Sequence, residues 1–64
     1  MKTYRIERNL ASGSVFILGF AYETERGWRF IPNVSGRISS RHPHPTLKAC
    51  LPRWLGRHEI KEVK

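Results

Sequence analysis

The sequence has no aspartate and a single cysteine, Cys50, and its longest apolar run is Val15–Tyr22. Each shortage excludes something. One thiol cannot close an internal disulfide or build a cysteine-based zinc site. It falls among apolar neighbours, where a free cysteine packs as a small hydrophobe. The run VFILGFAY is far shorter than the roughly 20 residues that span a bilayer as a helix. Lys2 is followed by Tyr4, Arg5 and Glu7, where a secretory signal would place an apolar core. The expectation is a cytoplasmic chain without a membrane partner.

Acid is the scarcest resource. Twelve Lys and Arg oppose five acids, a formal net charge of +7. Arg26, Arg29, Arg37, Arg41, Lys48, Arg53 and Arg57 succeed one another with no acid between them. Glu7, Glu23, Glu25, Glu59 and Glu62 lie outside that segment and balance the remaining bases, so the whole excess belongs to it. Most of these cations are arginines, whose planar fork donates bidentately to phosphate. The partner class this implies is DNA or RNA; the plainer reading is a solvated basic surface.

The same shortage argues against catalysis and metal binding. His42 and His44 alternate in an extended segment, and His58 follows later, but no aspartate completes a donor set. Ser39, Ser40 and His42 are near one another without an acid to orient a base. The expectation is no enzyme, no cofactor, no metal and no small-molecule substrate.

What is present is strand-forming sequence followed by one helical stripe. Thr3–Arg8 alternates, with Tyr4 and Ile6 on one side. NLASGS at 9–14 breaks it. Val15–Glu23 is apolar at both parities, Phe16, Leu18, Phe20 and Tyr22 against Val15, Ile17, Gly19 and Ala21, which marks a central strand. Gly19 marks a bulge or a close backbone approach. TERG at 24–27 is a hairpin loop, and Trp28–Asn33 a third strand that Pro32 ends or confines to an edge. After Ser35-Gly36, the stretch Arg37–Arg41 reads as a short fourth strand with Ile38 inward. His42–Pro45 is held extended by its prolines.

Leu47, Cys50, Leu51, Trp54 and Leu55 then recur at i, i+3, i+4, i+7 and i+8, one apolar stripe on a helix from Thr46 to Gly56. Thr46 suits the N-cap and Gly56 the left-handed C-terminal position. Pro52 interrupts it, so either the helix bends or two short turns meet there; the continuity of the stripe favours a bent helix. Residues 58–64 form a polar tail, frayed or a short strand.

These elements predict a single α+β domain over residues 1–57, an antiparallel sheet of three to four strands packed on one C-terminal helix. Tyr4, Ile6, Phe16, Leu18, Phe20, Trp28, Phe30 and Ile38 make the covered face. The opposite face shows Arg5, Arg29, Arg37, Ser39 and Arg41, with Ile17, Ala21 and Ile31 among them. Those five polar residues are the candidate nucleic-acid contacts, because Arg forks and hydroxyls are the usual phosphate partners. Trp28 and Trp54 read as core rather than as stacking platforms. If the two faces are exchanged, Tyr4 or Tyr22 becomes the stacking aromatic.

Gly27-Trp28 opening a strand, Gly36-Arg37 at a turn and Thr46 to Ala49 opening a helix resemble the arm-binding DNA module of tyrosine recombinases and are similar to the plant ethylene-response DNA-binding domain. The resemblance covers Trp28 to Leu55; no glutamate stands before Ala49, and Pro52 interrupts the helix. It implies a three-stranded sheet entering the major groove, with Arg29, Arg37, Ser39 and Arg41 as contacts. The longer pattern GW-F-P, GR–SR, T–AC-PRW resembles small single-domain bacterial or phage proteins, a likeness that implies no function. A second reading competes: a protein-interaction module or sheet-mediated homodimer using Ile17, Ala21 and Ile31 as an apolar patch.

Overall fold

A computed structural model describes residues 1–63. Its β1 (Thr3–Asn9), β2 (Val15–Thr24), β3 (Gly27–Pro32) and β4 (Glu59–Val63) form one antiparallel sheet in the order β3-β2-β1-β4. Helix α1 (Leu47–Cys50) and a 3-10 turn (Arg53–Leu55) lie against one face. The chain is thus α+β, a four-stranded sheet packed on a short C-terminal helix. Among the described residues no helix is long and apolar enough to cross a membrane.

The fourth strand comes from a different place than expected. Arg37–Arg41 forms no strand, and Ile38, expected inward, is 73% exposed. Glu59–Val63 pairs with β1 instead, Ile60 opposite Ile6. Its alternation of polar and apolar residues suits an edge with two wet sides, which composition alone reads as tail. Lys64, the last residue of that tail, lies outside the described residues.

The helical stripe keeps its residues and loses its helix. Thr46 caps α1, its hydroxyl accepting from Ala49 N at 3.1 Å. Leu51 then turns extended (φ −81°, ψ 124°) and Pro52 follows at φ −73°, ψ 156°. A residue before proline is driven out of the helical region, and proline cannot donate to the preceding turn. Two separate turns therefore replace the bent helix, and Gly56 closes the second at φ +62°. Cys50 and Leu55 are still buried, with Leu47, Leu51 and Trp54 packed beside them. Cys50 Sγ donates to Leu47 O at 3.0 Å, and burial pushes its thiol up from the ordinary value.

The core is Ile6, Leu18, Ala21, Phe30, Cys50 and Leu55, with Tyr4 and Trp28 at its border. Strand β2 has a bulge that decides which side chains join it. Ile6 pairs with Gly19 but Glu7 with Ile17, so Leu18 is the extra residue. One inserted residue shifts the alternation of everything beyond it. Leu18 points into the core, and past the bulge Ala21 is buried while Phe20 and Tyr22 turn to the open face. The expected even parity of β2 therefore holds at Leu18 and fails at Phe20. Gly19 is needed for a close approach: a Cβ there would stand 2.5 Å from Ile31 O and 2.6 Å from Phe30 Cζ. The ring of Phe30 fills that place.

Candidate nucleic-acid interface

Among the described residues, no helix or strand packs on the face of the sheet away from the helical layer. Cross-strand partners share a face, so the register lays out its rows directly. Ile31, Phe20, Arg5 and Lys61 form one row across β3, β2, β1 and β4. Arg29, Tyr22, Thr3 and Val63 form the next, and Ile17, Glu7 and Glu59 lie on the other side of the first. Two aromatic rings thus stand at alternate positions of the central strand β2. Phe20 is flanked by Arg5, and Tyr22 by Arg29.

Arg5 is not a free cation. Its Nε donates to Glu7 Oε2, two residues along the same strand and on the same face. Glu7 is almost wholly buried, at 5% exposure, under its neighbours. Burying a carboxylate without a donor is costly, and Arg5 supplies that donor. Arg29 donates from Nη2 to Ser40 O at 2.9 Å, which ties the guanidinium to the segment running beside β3.

That segment explains where the remaining expected site residues went. Ser40 N donates to Phe30 O at 3.0 Å, and Phe30 N donates to Ser40 Oγ at 2.9 Å. Trp28 and His44 exchange both backbone bonds, at 2.7 and 2.8 Å. The stretch 40–44 therefore caps the outer edge of β3 as an irregular strap, with prolines at 43 and 45 that prevent a regular strand. Gly27 sits where the His44 carbonyl leaves no room for a side chain, at φ +133°. Ser39 and Arg41 flank Ser40 on this strap and are exposed at the rim, not on the sheet. Arg37 is carried to the opposite side, its guanidinium 4.7 Å from the Trp54 ring centroid. Of the five expected contacts, the sheet brings Arg5 and Arg29 together on one face, and Ser39, Arg41 and Arg37 are corrections to that placement. A strand at 37–41 was needed to align them, and the strap's own hydrogen bonds to Phe30 and Trp28 forbid it.

Phe20 is the residue that sequence reasoning placed on the wrong side, and Tyr22 was reached only through an exchange of faces. The available signal was Gly19: a bulge there transfers both. Ala21, expected in the exposed apolar patch, is wholly buried, so the apolar residues of the open face include Ile17, Phe20 and Ile31, with Val63 on β4.

The tryptophans are half-buried and pack against the core. Trp28 packs against Tyr4 with ring centroids 5.7 Å apart, and Trp54 meets Phe30 edge-on at 6.0 Å. The His42 and His44 rings lie 5.1 Å apart at the strap, and among the described residues no cluster of three or more His, Cys, Asp or Glu side chains gathers there. Comparison of the chain with family models, with curated proteins and with solved structures gives no match.

Proposed function

We propose that the protein binds nucleic acid through the open face of its sheet, and that single strands are the preferred form. The observation that carries the reading is the pair Phe20 and Tyr22 on alternate positions of β2, each with an arginine beside it on a neighbouring strand. Rings at alternate strand positions are about 7 Å apart, within reach of successive bases of an extended strand. Base–aromatic stacking tolerates any sequence, and flanking guanidinium groups reach the phosphates. A duplex hides its base faces and leaves such rings unused. Arg41 and Ser39 at the rim extend the surface past Arg29 toward the phosphate backbone.

The test is a titration with a short single-stranded DNA, its RNA counterpart and the DNA duplex, at two salt concentrations, followed by backbone amide shifts. Single strands are expected to move the amides of residues 5, 20, 22 and 29, and binding weakens as salt rises because cation–phosphate contacts release counterions. The pair Lys48→Ala/Arg53→Ala, on the helical layer, serves as comparison. Loss of binding in that pair with none in Phe20→Ala/Tyr22→Ala sinks the proposal, as does an absence of shifts with all three ligands at low salt.

A second reading keeps one specific observation. Ile17, Phe20 and Ile31 put apolar surface on the same face, and Ile31 is 45% exposed. That favours a protein partner laid on the sheet. Protection of these residues by a protein, with no nucleic acid bound, would favour it.

A further inference from the structure

The two edges of the sheet are treated differently. The outer edge of β3 is covered by the 40–44 strap, which takes up the backbone groups of both Trp28 and Phe30. The outer edge of β4 is bare: the strand ends the sheet order, all five of its residues are exposed, and among the described residues no segment pairs with that side. An uncovered edge is a template for another strand unless its side chains prevent pairing. The order of charges on β4 decides between these outcomes.

Two copies of one strand that pair antiparallel across a two-fold axis perpendicular to the sheet keep like faces together. Only registers in which a residue faces its own counterpart satisfy that parity. A register centred on Glu59 sets carboxylate against carboxylate and Arg57 against Lys61. One centred on Lys61 sets ammonium against ammonium and Ile60 against Glu62. Centred on Ile60, Ile60 meets Ile60, Glu59 meets Lys61 twice, and His58 meets Glu62 twice. Of these three registers, only this one has attractive pairs and a central apolar contact, and it keeps the whole of β4 paired. In the single chain the Lys61 ammonium reaches Glu59 Oε1 at a loose 3.7 Å, and both side chains are about half exposed, at 54% and 45%.

We infer that a second copy of the chain docks on β4, antiparallel and centred on Ile60, to make an eight-stranded sheet. The Ile60 side chains, 37% exposed in the single chain, meet on the helical side. The open faces of the copies join into one continuous surface, along which the row Ile31–Phe20–Arg5–Lys61 meets Glu59, Glu7 and Ile17 of the second copy. The pairing does not depend on what the open face binds.

Sedimentation equilibrium from micromolar to millimolar chain at low salt tests it, with wild type expected to dimerise. Glu59→Lys and Lys61→Glu each set like charges opposite one another twice, and each weakens the dimer by about ten-fold or more, given the worth of cross-strand ion pairs. The double variant Glu59→Lys/Lys61→Glu restores the pairing with the signs exchanged and returns the dimer toward wild-type strength. Far-UV circular dichroism confirms that each variant folds. A mixture of isotope-labelled and unlabelled wild type needs no substitution, and it should give an inter-copy contact between Ile60 methyl groups. A monomer at every concentration overturns the inference and leaves the edge to a strand of another protein. A dimer without the Ile60 contact, or folded single variants that associate as well as wild type, overturns the register.

Discussion

The two faces of this sheet are built from the same strands, and they answer to different demands. The covered face holds Ile6, Leu18, Ala21 and Phe30, all nearly inaccessible, and is closed by Cys50 and Leu55 from two turns separated by Pro52. The open face holds Phe20 and Tyr22, which are no less apolar in their rings; both are half-buried among their neighbours on the sheet, and among the described residues no helix or strand packs over them. A chain of this length buries roughly 60% of its unfolded surface and has little stability to spare. Cross-strand neighbours bury part of each ring, and the proposed stacking surface would use the part that stays accessible. The comparison also predicts how the faces respond to substitution: changes on the covered face should appear in stability, and changes on the open face in binding.

The largest effect is expected from Phe30→Ala. The ring is 2% exposed, meets Trp54 edge-on and occupies the space above Gly19. Truncating a buried aromatic costs about 3–5 kcal/mol, which is most or all of what so small a domain holds. Chemical denaturation should show a variant that is unfolded or nearly so in water. A loss below about 1 kcal/mol would mean that the helical layer does not close on this face.

Gly19→Ala comes next. The backbone of Gly19 has no left-handed requirement, so the cost arises only from space: the new methyl group meets Ile31 O and the Phe30 ring. Overpacking of this kind costs about 1–3 kcal/mol. Combining it with Phe30→Leu vacates part of the space and should recover stability relative to the sum of the two single changes, a coupling that a double-mutant cycle reads directly.

Tyr22→Ala tests the other face. Its ring packs on no core residue, so unfolding should change by no more than about 1 kcal/mol. Binding to a single-stranded oligonucleotide should weaken by about 1–3 kcal/mol if bases stack there. A Tyr22→Phe variant, which keeps the ring, should bind nearly as wild type. If removing the ring and removing the hydroxyl cost the same, stacking is not what Tyr22 contributes.

Much of this arrangement can be read from the residues. The three hairpin-connected strands, the central position of β2, the caps Thr46 and Gly56, and the stripe Leu47, Cys50, Leu51, Trp54 and Leu55 all follow from local chemistry. The failures share a cause: each depends on a partner distant in sequence. Two-residue alternation carries no record of where one residue is inserted, and the bulge at Leu18 adjoins Gly19, over which the Phe30 ring of the next strand lies. Arg37–Arg41 alternates well enough for a strand, but Ser40 and His44 bind the edge of β3 and fix the segment as a strap. Residues 59–63, read as frayed or a short strand, are settled as a strand only by the ladder that β1 supplies. Of the candidate site, Arg5 and Arg29 were legible because their strands alternate without interruption on either side of them; Phe20 lay beyond the bulge.

The smallest expected effect is the most discriminating for the open face, and it concerns Glu7. This carboxylate holds the Arg5 guanidinium beside Phe20 and cancels its charge. Glu7→Gln keeps an oxygen acceptor for Arg5 Nε and nearly the same volume while removing the negative charge. Since the Arg5 side chain is 42% exposed, solvent screens the pair, and stability should shift by no more than about 1 kcal/mol. For a polyanion the consequence has a definite sign. The substitution unmasks a cation in the centre of the proposed surface, so affinity for single strands should rise a few-fold at low salt, and the gain should shrink as salt screens it. The same substitution with Arg5→Ala should show no gain, because the charge it would release is gone. A rise in affinity that survives removal of Arg5 would place the contact elsewhere, among the cations of the helical layer. No rise at all would mean that phosphate does not approach Arg5, and the open face would then be better read as a surface for protein.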